Sequence, residues 1–394
     1  MKKTWVSIPD VLFFQEGPGV RNTQYTAGGI KLLNVANLVD GKIDLSTSDR
    51  YISEEEAYGR YRHFLCDEGD FIVASSGLKV EYIDKKMGFV EKSMLPLCMN
   101  TSTIRFKVLN QNQLRIRYFM YYLKSNHFKK QLARQITGSA QLNYGPSHLK
   151  KMVVPLVDIS VQDEIVSKMD AIQHIIDLRN SQLMYLDDLV KARFVEMFGD
   201  DKYSKMPLIN LITEGAGLSY GIVQPGDSGT GDMGVLRPVD MVNGEISTHS
   251  IKYIDRSIGA SFKKTELVGD ELLITVRGTT GVTALTDSRF KNMNVTRGIA
   301  VIRYDRRKIN PIYLNAFLNT DESQQYIQEH TRGATLQQIN LSDLRVHMIP
   351  VPPIELQEKL ADFIEQVDKS KVAVQKSLDE AQLLFDSLMQ QYFG

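Results

Sequence analysis

The sequence predicts an α+β protein: two tandem mixed α/β domains separated by two long helices that pair as an antiparallel coiled coil, with a pseudo-two-fold internal repeat. Three observations carry this. Residues 137–199 recur as residues 332–394 at a constant offset of 195 with no gap, so that Gly138 answers Gly333, Leu149 Leu344, Pro155 Pro350, Gln162 Gln357, and Phe198-Gly199 the closing Phe393-Gly394. The front of each repeat is a series of short apolar runs broken by Gly, Asn, Asp and Pro, the pattern of strands and turns. Each proline is then followed by a long stretch with apolar residues at coiled-coil spacing. The boundaries follow as 1–155 and 201–350 for the domains, and 156–200 and 351–394 for the helices.

Taken in order, Ile8-Pro9-Asp10-Val11-Leu12 matches Leu208-Ile209-Asn210-Leu211-Ile212. Gly69-Asp70 precedes the apolar run Phe71-Ile72-Val73-Ala74 as Gly269-Asp270 precedes Leu272-Leu273-Ile274-Thr275, each run ending at Gly77 or Gly278. A helix is expected from Gln113 to about Gln135 and from Pro311 to about His330, with Ile116, Phe119 and Leu123 or Tyr313, Ala316 and Phe317 at helical spacing. A short strand ends at Val153-Val154-Pro155 and at Met348-Ile349-Pro350. Ser160, with Asp163 three residues on, suggests a near capping box at the start of the first long helix.

Alternate steps of four and three give a seam of Ile165, Met169, Ile172, Ile176, Arg179, Leu183, Leu186, Val190, Arg193 and Met197. The second helix gives Leu360, Ile364, Val367, Lys371, Val374, Leu378, Ala381, Phe385, Leu388 and Tyr392. One seam needs a partner, and the expectation is that the two pair within the chain, with one domain at each end of the rod.

The net charge is zero, which taken alone argues against a nucleic-acid binder. Its distribution argues otherwise. Residues 1–155 carry 22 Lys and Arg against 14 Asp and Glu, and 201–350 carry 17 against 16, whereas 156–200 carry 4 against 9 and 351–394 carry 4 against 8. Basic charge therefore lies in the domains and acid in the helices. Nothing at the N-terminus resembles a secretory signal and no run of about 18 apolar residues exists, so a cytoplasmic protein without a membrane span is expected. Cys66 and Cys98 have no metal spacing and are expected as half-buried thiols.

Catalytic signatures are missing from the sequence. There is no phosphate loop of the G-x-x-x-x-G-K-[ST] type. Gly229-Thr230-Gly231-Asp232-Met233-Gly234 fits G-x-G-x-x-G but follows a turn and is barred from opening a helix by Pro238, so it is expected to be a flexible loop. The seven histidines have no ligand spacing, and Glu54-Glu55-Glu56 is expected to be a solvated face in a turn. No catalytic residue, bound metal or cofactor is assigned to the chain.

Recognition chemistry is better represented. Ser75, Ser76, Gly77, Leu78 and Lys79 follow the first central strand, and Arg277, Gly278, Thr279 and Thr280 follow the second. A tip flexed by glycine can approach a phosphate backbone closely, and Arg can fork onto guanine. Arg21, Asn22 and Gln24, with Gln224, and Gln141 and Asn143, with Arg332 and Thr335, complete the candidate DNA contacts, since Gln and Asn amides match adenine. Arg277 is the strongest of these.

Together, the duplication, the Gly-Asp-x-Leu-Leu strand and the Pro350-Val351-Pro352-Pro353-Ile354-Glu355-Leu356-Gln357 opening of the second helix resemble the specificity subunit of type I restriction–modification systems over the whole chain. The first repeat departs at Val157-Asp158, where the second has Pro352-Pro353. The resemblance implies two target-recognition domains, each reading one half of a split DNA site, and a helix pair that sets the spacing. It also implies two methyltransferase subunits as partners, then motor–nuclease subunits, with S-adenosylmethionine, ATP and Mg on those partners and none on this chain. Two alternatives stay open: the recognition portion of a fused restriction or methyltransferase enzyme, and a two-ended protein scaffold that binds no DNA.

Overall fold

A computed structural model describes residues 3–394 except 137–141, 200–201, 227–230, 243 and 334–335. Gln141 and Thr335 therefore lie outside the described residues. The chain forms two compact units, residues 1–178 with 378–394, and residues 179–377.

In the first unit, the wholly apolar Phe71–Ala74 is buried at every position because it runs inside a four-stranded antiparallel sheet. The order is Leu12–Glu16, Thr103–Val108, Phe71–Ala74, Met87–Phe89. Phe119 and Phe128 pack over it from two helices, Ile116–Lys124 and Asn126–Gln135. One continuous helix was expected there. Ser125 divides it: its backbone is extended, and its hydroxyl accepts from Phe128 N–H at 3.2 Å, capping the second helix. Thr320 does the same in the second unit, between Pro311–Leu318 and Asp321–Glu329, accepting from Ser323 N–H at 3.3 Å. A smaller sheet places Ile30–Leu33 between Leu97–Met99 and Tyr51–Ile52. Cys66 and Cys98 are fully buried rather than half-buried, and burial pushes both thiols up to about 12.

The second unit repeats the plan with a five-stranded sheet ordered Ser219–Tyr220, Ile299–Ile302, Leu272–Leu285, Gln337–Ile339, Thr331–Arg332. Met233 and Gly234 open the strand Met233–Leu236, so the end of the glycine-rich run is not a loop. The turn before the central strand is held by a buried carboxylate in both units, but not by aligned residues. In the first, Asp70 accepts from Asp67 N–H and from the buried Arg105 guanidinium, at 2.9 and 3.1 Å. In the second, Glu271 accepts from the N–H groups of Val268, Gly269 and Asp270 at 2.8–3.1 Å, one position beyond Asp270.

Both domains close on themselves in the same way. The strand leading in pairs antiparallel with the strand leading out, Trp5 opposite Pro155 and Met206 opposite Ile349. A buried tyrosine then donates to the proline carbonyl, Tyr118 to Pro155 O and Tyr313 to Pro350 O, each at 2.9 Å. The first turn of each long helix is clamped by one fully buried glutamine. Gln162 Oε1 accepts from Arg115 N–H at 2.9 Å, and its Nε2 donates to Gln113 O and Val157 O at 2.8 and 2.9 Å. Gln357 accepts from Asn310 N–H at 2.8 Å and donates to Pro352 O at 2.8 Å and to Lys308 O at 3.4 Å.

The long helices span Ile159–Phe198 and Ile354–Phe393. Ser160 is already inside the first, because Asp158 O accepts from the N–H groups of Val161 and Gln162; Asp163 ion-pairs with Arg115 rather than completing a capping box. Within each unit the helices pack antiparallel. In the first, Ile165, Met169, Ile172 and Ile176 share a core with Phe385 and Phe393, flanked by the half-buried Leu378 and Leu388. In the second, Arg179 Nε donates to Ser377 Oγ at 3.2 Å, Asp187 pairs with Lys371 Nζ at 2.6 Å and Arg193 lies over the Phe363 ring, so numbers fall on one helix as they rise on the other. Val367 and Val374 are buried and Leu183 and Leu186 half-buried.

The seam departs from the seven-residue repeat at its far end. Phe194 and Phe198 are buried where Arg193 and Met197 were expected, and Phe393 rather than Tyr392 is buried on the second helix. A helix of 3.6 residues per turn drifts about 20° per heptad against a 3.5 repeat, so after four heptads the buried face has moved one residue on. These aromatics dock on the domain helices: Phe393 on Tyr118 at 5.1 Å between ring centroids, Phe198 on Tyr313 at 5.1 Å and Phe194 on Tyr313 at 5.5 Å.

Two stability measurements follow. Gln162→Ala or Gln357→Ala leaves a buried N–H and two carbonyls without their partner, so urea unfolding should reveal a loss of about 2–4 kcal/mol; a loss under 0.5 kcal/mol would show that the clamp is dispensable. His347 is buried between Ser323, whose Oγ lies 2.8 Å from its Nε2, and the stacked Tyr326 ring, and burial lowers its pKa to about 4. The unfolded imidazole takes up a proton below about 6.5 while the folded one does not. Stability held above pH 6.5 should therefore fall by about 3 kcal/mol as pH drops towards 4. His347→Gln should remove that part of the pH dependence in urea titrations at pH 7 and pH 4.5; an unchanged slope would contradict it.

Candidate functional site

A few of the candidate contacts come together at one place in each domain, Ser76 with Asn143 and Arg277 with Arg332, where the end of the central strand region meets a strand from the duplicated segment. In the second unit Leu272–Leu285 is a single strand of 14 residues that continues past Gly278. The expected loop tip is therefore part of a sheet. Gly278 has φ +87° and a Cβ there would meet open space, so its conformation, not crowding, requires glycine. Gly77 is the counterpart, at φ +79° in open space. Beyond the kink the strand is held by helix side chains: Gln324 Nε2 donates to Gly281 O at 3.0 Å, and Thr283 Oγ1 to Asn315 Oδ1 at 2.7 Å.

Just before the kink, Arg277 lies opposite Gln338, which in turn lies opposite Arg332 on the next strand. Directly opposed residues in antiparallel strands share a face. Arg277 and Gln338 are half-buried, Arg332 is exposed, and neither Arg277 nor Gln338 makes a side-chain hydrogen bond or ion pair among the described residues. Arg332 has only a 4.0 Å approach to Asp343. In the first unit the corresponding pair is Ser76 opposite Asn143, on strands Ser76–Leu78 and Leu142–Asn143. Ser76 is half-buried, and Asn143 and Lys79 are exposed.

Two candidates are corrected by burial. Ser75 is 1% exposed and Thr280 is 6% exposed, with its hydroxyl 3.1 Å from that of Thr331, so neither can meet a ligand at the surface. Thr280 lies in the strand that continues past Gly278, and Ser75 lies between two strands with its N–H donating to Ser102 O, where loops were expected. Gln24 is occupied: its Nε2 donates to Glu56 and Tyr61 at 2.6 and 3.1 Å, and its Oε1 accepts from Arg21 N–H. The acidic run itself forms the short helix Glu54–Tyr58 rather than a turn, capped by Ser53. Arg21 and Asn22 are exposed on the 3₁₀ turn that Gln24 holds, Gln224 is exposed after Ile222, and Thr279 is exposed past the kink. None of these four belongs to the Ser76–Asn143 or Arg277–Gln338 pairs. Gln338 was not among the candidates. Its signal was the repeat offset, which sets Asn143 against Gln338. Among the described residues no cluster of His, Cys, Asp or Glu could hold a metal, and no helix is long and apolar enough to cross a membrane.

The family model of the type I restriction modification DNA specificity domain matches residues 21–184 and again residues 228–381. The chain is similar to the type I restriction enzyme EcoBI specificity subunit of Escherichia coli, 24% identical over 260 residues, or 66% of this chain and 52% of that protein. The match thus spans about half the length of that relative. It is also 24% identical over 370 residues to the putative type I restriction enzyme MjaX specificity subunit of Methanocaldococcus jannaschii, covering 86% of this chain and 80% of that one. In fold it is similar to the type I restriction–modification system S subunit from M. genitalium, with a TM-score of 0.54 at 13% identity over 100% of this chain and 96% of that chain. A chain from another type I system structure gives the same TM-score at 16% identity, over 99% and 97%. With the domain model matched twice over most of its length, the chain belongs to the type I restriction–modification DNA specificity-subunit family.

Proposed function

We propose that the chain is a non-catalytic, sequence-specific reader of double-stranded DNA, in which each domain reads one half of a split, asymmetric target. The observation that carries this is one scaffold used twice with different chemistry at the same paired position: Ser76 with Asn143 in one unit, Arg277 with Gln338 in the other. The boundaries 1–155 and 201–350 then delimit the two readers. Arg21, Asn22, Lys79, Gln224, Thr279 and Arg332 are exposed polar residues suited to phosphate or base contact. An Arg or Lys on phosphate strengthens all sequences alike, whereas a forked contact to a base edge discriminates.

In this reading the long helices, 156–200 and 351–394, set the separation of the half-sites and dock two methyltransferase subunits, to which motor–nuclease subunits add. S-adenosylmethionine, ATP and Mg belong to those partners. Exposed apolar side chains on the helices of the second unit support docking: Met184, Tyr185, Leu189 and Val372 are 67%, 71%, 46% and 71% exposed. In this reading a docked subunit covers them.

The test is a selection on randomised duplex DNA with the full chain and its methyltransferase partners, followed by insertion of four residues after Asn180 and four after Gln375. Four residues add roughly 6 Å of helix, and DNA rises 3.4 Å per base pair. The gap between half-sites should grow by about one or two base pairs with both half-sites unchanged. Recovery of an uninterrupted or palindromic target would refute the split reading. An unchanged gap in a folded, active double insertion would reduce the helices to docking surfaces.

A further inference from the structure

We infer that Gln338 is a specificity-determining residue that reads an adenine beside a guanine read by Arg277, with Arg332 fixing the register on a phosphate. The inference rests on the DNA-reading role proposed above and assigns chemistry to one half of the target. The first support is position. Arg277, Gln338 and Arg332 stand opposite one another on three adjacent antiparallel strands, so their side chains leave the sheet on one face. The second is availability. Gln338 is half-buried as a residue, and neither its amide oxygen nor its amide nitrogen has a side-chain partner among the described residues, whereas the fully buried Gln162 and Gln357 have theirs engaged.

The third support is dimension. Neighbouring strands lie about 4.8 Å apart, so the outer two side chains of the row are rooted about 10 Å apart. One strand spacing corresponds to between one and two base-pair rises of 3.4 Å, so the bases read by Arg277 and Gln338 should be adjacent or separated by one base pair. Arg fits the O6 and N7 of guanine bidentately, and Gln fits the N6 and N7 of adenine. Arg332, exposed at the edge strand, is placed for backbone contact. The kink at Gly278 lets the ribbon approach without a side chain in the way. The first unit has Ser76 and Asn143 at the equivalent pair, which keeps an amide for adenine and lacks the arginine for guanine.

The test uses the full chain with its methyltransferase partners, selected on randomised bipartite duplexes and checked for folding by thermal melting. Wild type should select one half-site holding a guanine and an adenine no more than one base pair apart. Gln338→Ala should lower the preference for that adenine by roughly 5- to 150-fold and leave the guanine and the other half-site intact. Arg277→Ala should relax the guanine alone. Gln338→Glu supplies an outcome that misfolding cannot imitate, because a carboxylate accepts from cytosine N4: the same position should change from adenine to cytosine. A wild-type motif whose every position is unmoved, or uniformly weakened, by both Gln338 variants would overturn this inference while sparing the DNA-reading role. Selection of no motif by wild type would overturn both.

Discussion

The structure hangs on two buried glutamine amides. Gln162 and Gln357 each tie the first turn of a long helix to the backbone that precedes a domain helix, at Arg115 and Gln113 or at Asn310 and Lys308. An amide with all of its buried groups satisfied is strongly directional, and losing one leaves several unsatisfied backbone groups at once. The tyrosine that donates to the proline carbonyl, Tyr118 or Tyr313, secures the adjoining strand, and the same tyrosine receives a phenylalanine from the end of a long helix. The angle at which each helix leaves its domain is therefore set by hydrogen bonds, and its packing by rings.

The paired positions at the sheet ends are held differently. The turn before each central strand is fixed by a buried carboxylate, Asp70 with Arg105 or Glu271 with three backbone N–H groups, so the strands that lead towards Gly77 and Gly278 are held at their start. Arg277, just before Gly278, and Gln338 opposite it have no side-chain partners among the described residues. In the proposed reading, this division lets target preference change by substitution at a paired position while the clamp and the helix packing stay as they are.

Features copied by the duplication were legible in the sequence. The constant offset identified Gln162 with Gln357 and Asn143 with Gln338, and heptad spacing identified the early seam from Ile165 to Ile176, all of it buried. The misreadings were local or cumulative. Ser125 and Thr320 split helices because a hydroxyl cap outweighs apolar periodicity that continues on either side. The strand runs on through Gly278 because pairing with Gln337 and support from Gln324 are tertiary, and with it Thr280 turns inward. Phe194 and Phe198 replaced Arg193 and Met197 because a one-residue drift builds up only over several heptads.

The central claim is that each domain is an independent reader of its own half-target. Its most direct measurement is a domain exchange. Residues 1–155 would be replaced by the aligned domain of a relative with a different target, keeping Gln162 and the long helices. Methylation would then be mapped genome-wide in cells that carry the methyltransferase partners. The expected result is a target in which one half changes to the donor's sequence while the other half and the gap persist. A target changed in both halves, or in neither, would contradict the account.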